Sequence, residues 1–337
     1  MPRFDLQSAE LRAYRPDVAE PADFDAFWAR TLAESRAVAT PPRLERVDSP
    51  LALVDVFDVT FSGFAGDPVR GWLVVPAGAS APLPTVVEYV GYGGGRGLPH
   101  EKLAWAAAGY VHFVMDTRGQ GSAWGTGGGT PDPHGTGPSF PGFMTRGIHD
   151  PAEYYYRRVF TDAVLAIDAV RSLEVVDETR VAVAGASQGG GISIAAAGLS
   201  EGLVGALPEV PFLCEFERAV GFTDRDPYNE IVRFLSVHRD AAEQVFSTLS
   251  YFDGVNFAKR ATAPAHFSVA LMDLTCPPST VYAARNHWGH GAVDADIVDY
   301  AFNDHEGGQG VHWQRQAAWL AERLASHAAP VIASVVD

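Results

Sequence analysis

Short apolar runs alternate with segments of helical periodicity along most of the chain. Two strand-like runs surround a turn at Gly66–Asp67. Further strand-like runs lie within 83–97, 111–121, 181–184, 265–273 and 295–302. Helix-like segments lie within 20–38, 100–110, 153–177, 277–288 and 312–327. This order predicts an α/β fold with a mostly parallel central sheet and helices on both faces.

Residues 121–148 interrupt the alternation because they are dense in glycine and proline. We predict no regular element here, and structureless loops of this length are usually functional or mobile. The aromatic side chains of Trp124, Phe140 and Phe143 favour an ordered loop packed on the body. A disordered surface loop is the alternative.

The pattern contains no clean linker, so we predict one domain over 1–337. Residues 1–40 form an N-terminal helical extension whose aromatic positions predict an amphipathic helix. Residues 207–263 mix helical and aromatic segments with several prolines. That length is enough for a cap-like insertion over one end of the sheet.

Composition narrows the partners and the compartment. A net charge of −16 argues against a nucleic-acid partner, since phosphate binding needs basic patches. We find no apolar run of about 18 residues, and the charged N-terminus does not resemble a signal peptide, so we predict no membrane span. Cys214 and Cys276 favour two buried thiols in a reducing compartment over a disulfide. Two isolated cysteines are too few ligands for a metal site.

The segment GASQG, from Gly185 to Gly189, matches the pattern G-x-S-x-G. It follows the strand-like VAVA and precedes a helix-compatible run, which is the setting in which this motif has meaning. A tight elbow there presents a serine hydroxyl at a helix N-terminus, and side chains at the two glycines would collide with neighbouring strand and helix. Ser187 is therefore the predicted nucleophile. A glycine-rich turn of a nucleotide-binding fold is the alternative.

A serine nucleophile needs a base and an orienting carboxylate, which follow it in the order Asp or Glu, then His. Seven histidines follow Ser187, and His305 lies in a loop between the last predicted strand and helix. His287 and His290 are its main rivals. Asp273 ends a predicted strand and is the predicted orienting carboxylate. An Asp before two prolines is also typical of a helix cap.

An oxyanion needs two backbone N–H donors. One comes from Gln188, directly after the nucleophile, and the other from the glycine loop VGYGGGRG, where we choose Tyr92. The same loop resembles a phosphate cradle, but it lacks the Lys-Ser/Thr ending of a P-loop.

Three ordered motifs together resemble the acetyl xylan esterase and cephalosporin-C deacetylase family, carbohydrate esterase family seven. They are RGQ at Arg118, Gly119 and Gln120, GASQG at Gly185–Gly189, and HE at His305 and Glu306. The segment MDLTCPPSTVYAARN resembles the family segment that carries the catalytic Asp. Similarity also extends to FDLQSAELRAYRP and YYYRRVFTDA, so it covers nearly the whole chain.

The resemblance implies an α/β-hydrolase that removes acetyl groups from small acetylated sugars, xylo-oligosaccharides and cephalosporin-like compounds. It implies Ser187, Asp273 and His305 as the triad, Tyr92 and Gln188 as oxyanion donors, and no metal or cofactor. It also implies a cytoplasmic, ring-shaped homohexamer whose active sites face an internal space.

Arg118 and Gln120 follow a predicted strand and lie within reach of the active-site end of the sheet. We predict that Arg118 pairs with a carboxylate and ties loops together, with direct substrate contact as the alternative. Glu306 is also predicted to be structural, either as the partner of Arg118 or at a helix start.

Two rival functions remain open from the sequence. One is another α/β-hydrolase, such as a longer-chain carboxylesterase or lipase, or a serine peptidase. The other is a non-catalytic binding protein on this scaffold. An intact Ser, Asp and His in the required order argues against the second rival.

Overall fold

One mixed sheet of nine strands runs through the residues that this computed structural model describes, 4–135 and 137–327. In chain order they are β1 (Arg43–Arg46), β2 (Val54–Ser62), β3 (Pro68–Pro76), β4 (Leu83–Tyr89), β5 (Val111–Met115), β6 (Val176–Ala186), β7 (Leu203–Glu209), β8 (Ala265–Ala270) and β9 (Ala295–Tyr300). Across the sheet the order is β1-β2-β3-β5-β4-β6-β7-β8-β9. The strands from β5 to β9 in this order run parallel to one another. The pairs β1–β2, β2–β3 and β3–β5 are antiparallel.

Eleven α-helices lie in the same described ranges. They are α1 (Ser8–Ala13), α2 (Phe24–Ala37), α3 (Ala104–Ala107), α4 (Tyr155–Arg171), α5 (Gln188–Leu199), α6 (Phe216–Phe222), α7 (Tyr228–Val237), α8 (Ala242–Ser250), α9 (Gly254–Arg260), α10 (Pro278–His287) and α11 (Gln309–His327). None of the described helices combines the length and the apolar character needed to span a bilayer.

Alternating side chains of the central strands build a core on each face of the sheet. Val87 and Val183 point into the larger core, which α2, α4, α5, α9 and α10 cover. Val86 and Ala182 point into a smaller core with Trp319 of α11. Because side chains alternate along a strand, every second residue of a buried parallel strand faces a different helical layer. The prediction of a mostly parallel sheet with helices on both faces is confirmed.

The N-terminal extension and the Gly/Pro-rich loop are both ordered on the body. Trp28 of α2 is buried and packs its ring against Phe160 of α4 and Phe257 of α9. In the loop, Phe140 and Phe143 pack against the large core. Trp124 does not follow the prediction of a packed ring, since it is 53% exposed and instead donates a hydrogen bond to the Tyr92 carbonyl.

Four short helices, α6 to α9, form an insertion between β7 and β8. The insertion, predicted at about 207–263, begins a few residues later in the structure, because residues 207–209 complete β7. No strand was predicted over Leu203–Glu209, and it contains Pro208, although proline cannot donate to the ladder and ordinarily argues against a central strand. Helix α9 packs against α5 on a face of the sheet, and residues 223–230 reach the loops that carry the candidate site.

Candidate active site

Ser187 occupies a sharp turn between β6 and α5. Its backbone has a φ of +57° and a ψ of −119°, which a non-glycine residue adopts only under strain. The turn is fixed on both sides, since the Ser187 N–H donates to the Glu209 carbonyl and the Ser187 carbonyl accepts from the N–H of Phe212 and Gly191. The predicted strand–turn–helix setting of the serine is therefore present.

The two glycines of GASQG stand where no side chain fits. A Cβ on Gly185 would lie 2.4 Å from the backbone of Gly189, and a Cβ on Gly189 would lie 2.1 Å from the carbonyl oxygen of Tyr89. Real Cβ atoms do not approach backbone this closely. The helix thus begins directly against β4, and the predicted collision of side chains at both glycines with neighbouring strand and helix is present.

The structure brings the three predicted triad residues into one line. The His305 Nε2 lies 2.9 Å from the Ser187 Oγ, and the His305 Nδ1 lies 2.8 Å from Asp273 Oδ2. Asp273 is fully buried and His305 is 30% exposed in its side chain, so the imidazole stands between a buried carboxylate and the opening to solvent. With its Nδ1–H donated to the carboxylate, the imidazole presents the Nε2 lone pair to the serine hydroxyl.

The second oxygen of Asp273 fixes the carboxylate in place. Its Oδ1 accepts the N–H groups of Thr275 and Cys276, at 2.7 and 2.9 Å. The rival histidines lie elsewhere: His287 hydrogen-bonds with the Ala283 carbonyl of its own helix, and His290 follows that helix in a turn where its carbonyl accepts from Arg15. Asp304, beside His305, accepts the N–H of His305.

The two predicted oxyanion donors belong to the elbow, at Gln188, and to the loop after β4, at Tyr92. The N–H groups of Tyr92 and Gln188 have no hydrogen-bond partner within 4–135 and 137–327, so both are free to meet an oxyanion. The Gln188 Nε2 donates to the carbonyl of Val90, 3.1 Å away, which fastens the loop after β4 to the start of α5. Whether these N–H groups bind an oxyanion remains a prediction.

Gln120 of the RGQ segment connects this loop to the elbow. Its Oε1 accepts the Gly93 N–H at 2.7 Å, and its Nε2 donates to Gln188 Oε1 at 2.8 Å and to the Tyr155 hydroxyl at 3.0 Å. Tyr156 donates a further hydrogen bond to Gln188 Oε1. These groups are buried, so the amides form a fully internal network between the loop and the nucleophile.

Arg118 is fully buried and pairs with carboxylates from three parts of the chain. Its Nε and Nη2 make a bidentate contact with Asp162 at 2.6 and 2.7 Å, and its Nη1 lies 2.9 Å from Asp67 and 3.4 Å from Asp132. The predicted structural role for Arg118 fits this arrangement. Gly119 beside it has a φ of +70°, which suits glycine.

Glu306 does not pair with Arg118, so that prediction was wrong. Glu306 is exposed and accepts a hydrogen bond from the Asn303 Nδ2, while α11 begins three residues later at Gln309. Asp162 and Asp132 pair with the Arg118 guanidinium because they are buried beside it. Glu306 instead lies on the surface of the loop 301–308 that carries His305, the histidine loop.

Ligand atoms of Asp273, Cys276 and His305 lie within 4.8 Å of one another, the one set of three candidate metal donors in the described part of the chain. The Asp273–His305 hydrogen bond already uses two of these atoms. Burial raises the pKa of the Cys276 thiol well above its ordinary value, which keeps it protonated and a poor ligand. The set therefore fits a triad better than a metal centre. Cys214 and Cys276 are both free and buried.

Sequence reasoning missed three charged residues around the site. Glu230 of α7 contacts Tyr92, Arg225 pairs with Asp304, and Glu209 lies against the histidine loop near Gly307. Burial raises the pKa of Glu209 to about 7. The local pattern gave no signal for them, because a charged residue on a short helix, in a loop or at the end of a strand is ordinarily a solvated one.

A strained serine between a parallel strand and a helix, with its acid and base on later loops at the same sheet edge, defines an α/β-hydrolase. A family model described as Acetyl xylan esterase (AXE1) matches residues 1–323. The chain therefore belongs to the acetyl xylan esterase family, and the resemblance drawn from its motifs is confirmed.

Individual relatives agree with this membership. The acetyl esterase Axe7A of Xylanibacter ruminicola is 28% identical over 291 residues, which are 81% of this chain and 61% of that relative. The chain thus spans less than two thirds of the length of this curated relative. A solved acetyl xylan esterase from a Paenibacillus species is 40% identical with a TM-score of 0.88, covering 94% of this chain and 99% of that one. Acetyl xylan esterase 1 from a Thermoanaerobacterium species is 32% identical with a TM-score of 0.87, covering 95% and 99%.

Proposed function

We propose that this chain is a serine esterase that removes acetyl groups from small acetylated substrates, such as acetylated sugars, xylo-oligosaccharides and cephalosporin C. The observation that carries the proposal is the continuous line from Asp273 through His305 to Ser187, with contacts of 2.8 and 2.9 Å. Membership in the acetyl xylan esterase family and the names of the relatives support the acetyl group as the acyl part.

In the first step, Ser187 Oγ attacks the acetyl carbonyl carbon while His305 Nε2 takes the hydroxyl proton. Asp273 holds the imidazole in the correct tautomer and stabilises the imidazolium that forms. The carbonyl oxygen becomes an oxyanion, and the N–H groups of Tyr92 and Gln188 stabilise it, each by about 3 kcal/mol in the transition state. The ester C–O bond then breaks, and His305 returns its proton to the departing alcohol oxygen.

In the second step, water hydrolyses the acetyl-serine. His305 removes a proton from the water as its oxygen attacks the acetyl carbonyl, and the same two N–H groups hold the second oxyanion. The Ser187 Oγ leaves with the proton from His305, which releases acetate and restores the enzyme. These residues need no metal or cofactor for either step.

The resemblance to carbohydrate esterase family seven extends the proposal to the assembly. We expect a cytoplasmic homohexamer whose active sites face an internal space. Such a space admits small esters and excludes polymers, which favours oligosaccharides over intact polysaccharide as substrates.

The first test is the hydrolysis of p-nitrophenyl esters from acetyl to octanoyl. We expect strong turnover of the acetyl ester, a steep fall by butyryl, and a loss of about 10⁵-fold or more in kcat in Ser187→Ala. Ser193→Ala is the matched control, because Ser193 is a buried serine of α5, the helix that directly follows Ser187, where it donates to the Gly190 carbonyl and lies outside the triad.

The outcomes separate the rival functions. A preference for long acyl chains would replace the deacetylase by a longer-chain carboxylesterase or lipase on the same fold, and cleavage of peptides would favour a peptidase. No ester hydrolysis by the wild type would favour a binding protein. Undiminished activity in Ser187→Ala would overturn the mechanism itself.

A further inference from the structure

The side chain of Tyr92 enters a junction between three segments. Its hydroxyl donates to Glu230 Oε1 at 2.6 Å and accepts the N–H of Phe143 at 2.6 Å. Its ring lies edge-on to Phe143 and to Phe212, with centroids 5.5 and 6.3 Å away. The residue with the proposed oxyanion N–H is thus anchored through its side chain.

Glu230 is the carboxylate at the centre of this junction. It is 5% exposed, although it belongs to a helix of the insertion, and its Oε2 accepts the N–H of Met144 at 3.1 Å. Burial raises the pKa of Glu230, while the hydrogen bonds from Tyr92 and Met144 oppose that rise. A buried carboxyl of this kind is stable only while these donors stay in place.

The Gly/Pro-rich loop is shaped around this carboxyl. A Cβ on Gly142 would lie 2.2 to 2.3 Å from the Glu230 carboxylate atoms, so only glycine leaves room for it there. The same loop supplies Trp124, whose Nε1 donates to the Tyr92 carbonyl at 2.6 Å. Side chains from outside the sheet therefore hold Tyr92 at both its hydroxyl and its backbone.

We propose that Glu230 is a positioning residue for the oxyanion hole, which it aligns by holding the Tyr92 phenol. The inference rests on the esterase function proposed above. Glu230 does not touch the reacting atoms, and its effect passes through the backbone of Tyr92. The insertion then has a role in the reaction, since one of its helices determines where an oxyanion donor lies.

An oxyanion donor acts in the transition state more than in the ground state, so its misalignment lowers kcat and leaves KM nearly unchanged. A purely structural role lowers the folded fraction instead. The test measures kcat and KM for p-nitrophenyl acetate in wild type, Glu230→Gln, Glu230→Leu, Tyr92→Phe and the Tyr92→Phe/Glu230→Leu double variant. The folded fraction of each is measured by circular dichroism and thermal unfolding.

We expect Glu230→Leu to lower kcat by about 30-fold or more with KM within about threefold of wild type. Glu230→Gln should keep more activity, because its amide oxygen still accepts from the Tyr92 hydroxyl. The double variant should be no worse than the poorer single variant, because both substitutions break one connection.

Asp253→Asn is the matched control. Asp253 is another buried carboxylate of the insertion, and it accepts the N–H groups of Glu215, Phe216 and Val255 without reaching the loop after β4. We expect it to lower the unfolding temperature and to leave the kcat of the folded protein unchanged.

The result that overturns the inference is a folded Glu230→Leu protein with kcat within about threefold of wild type, or one whose KM rises while kcat holds. If Glu230→Leu does not fold, Tyr92→Phe decides: about a tenfold fall in kcat at constant KM supports the inference, and full kcat overturns it. A wild type without Ser187-dependent hydrolysis would instead overturn the proposed function.

Discussion

Ser187 and Tyr92 both belong to the proposed reaction centre, and the chain holds them by different means. Backbone holds the serine: β6 ends directly before it, α5 begins directly after it, and main-chain hydrogen bonds join it to Glu209 and Phe212. Side chains hold the tyrosine, through Glu230 and Trp124.

The difference lies in what each function requires of the chain. The nucleophile needs one strained conformation, which close packing of glycine backbone against a strand enforces. The oxyanion donor needs an N–H at one point in space, and the loop after β4 has no regular structure to place it. Buried polar groups from remote segments supply that constraint, so the two sides should respond differently to substitution.

The largest effect should come from closing the space at the elbow. Gly189→Ala puts a Cβ 2.1 Å from the Tyr89 carbonyl oxygen, and backbone on both sides prevents relief. We expect the free energy of unfolding to fall by about 3 kcal/mol or more, measured by denaturant titration.

Gly310→Ala is the control for the elbow, because a Cβ there meets nothing within 4 Å. It should leave stability unchanged or raise it by a few tenths of a kcal/mol, since alanine favours helix over glycine. A Gly189→Ala protein as stable as the Gly310→Ala protein would show that backbone packing does not hold the nucleophile.

An intermediate effect should follow from breaking the amide network. Gln120→Leu removes the acceptor for the Gly93 N–H and the donor to Gln188 Oε1, so the loop after β4 loses its buried connection to α5. We expect kcat for p-nitrophenyl acetate to fall about 30- to 100-fold with little change in KM, which steady-state kinetics measures.

Gln316→Leu is the matched control for the network. Gln316 is also buried, but its amide donates to the Leu207 carbonyl under α11. It should change the unfolding temperature and spare kcat. Equal losses of kcat in the two variants would mean that Gln120 supports the fold in general and not the oxyanion loop.

The smallest effect should come from the exposed contact between the insertion and the histidine loop. Arg225 pairs with Asp304 at 2.9 Å, but the two side chains are 35% and 38% exposed. Exposed ion pairs contribute about 0 to 1 kcal/mol, so Arg225→Gln should lower kcat by about threefold at most.

Salt provides the check on this pair. At about 1 M NaCl, screening should lower the kcat of the wild type to that of Arg225→Gln. Arg233→Gln is the control: it breaks the exposed pair with Asp226 and should not alter kcat at any salt concentration. A large, salt-independent loss of kcat in Arg225→Gln would mean that the exposed contact supports the site as strongly as the buried contact at Glu230.

Much of the fold could be predicted from the sequence because the relevant patterns are local. The stripe of Val159, Ala163, Ala166, Ile167 and Val170 predicts the inner side of α4, and all five are buried. Two short elements did not follow the local pattern. The segment HEKLAWAAAGY reads as one helix, yet the structure has a single 3₁₀ turn and the four-residue α3, and β1 was not predicted.

By itself, the sequence determined the elbow and the chain order of Ser187, Asp273 and His305. The glycines flanking the serine carry their own steric reason, and strand ends in a parallel sheet meet at one edge, so the order of elements implies the meeting of the three side chains.

Only the tertiary structure decided how the site is supported. Tyr92 and Glu230 are 138 positions apart in the sequence but hydrogen-bonded in the structure. Arg118 pairs with Asp162, 44 positions away, and not with Glu306. Such contacts depend on how irregular loops and a short-helix insertion pack. A buried charge and a solvated one look the same in a sequence, because their difference is the environment that folding creates.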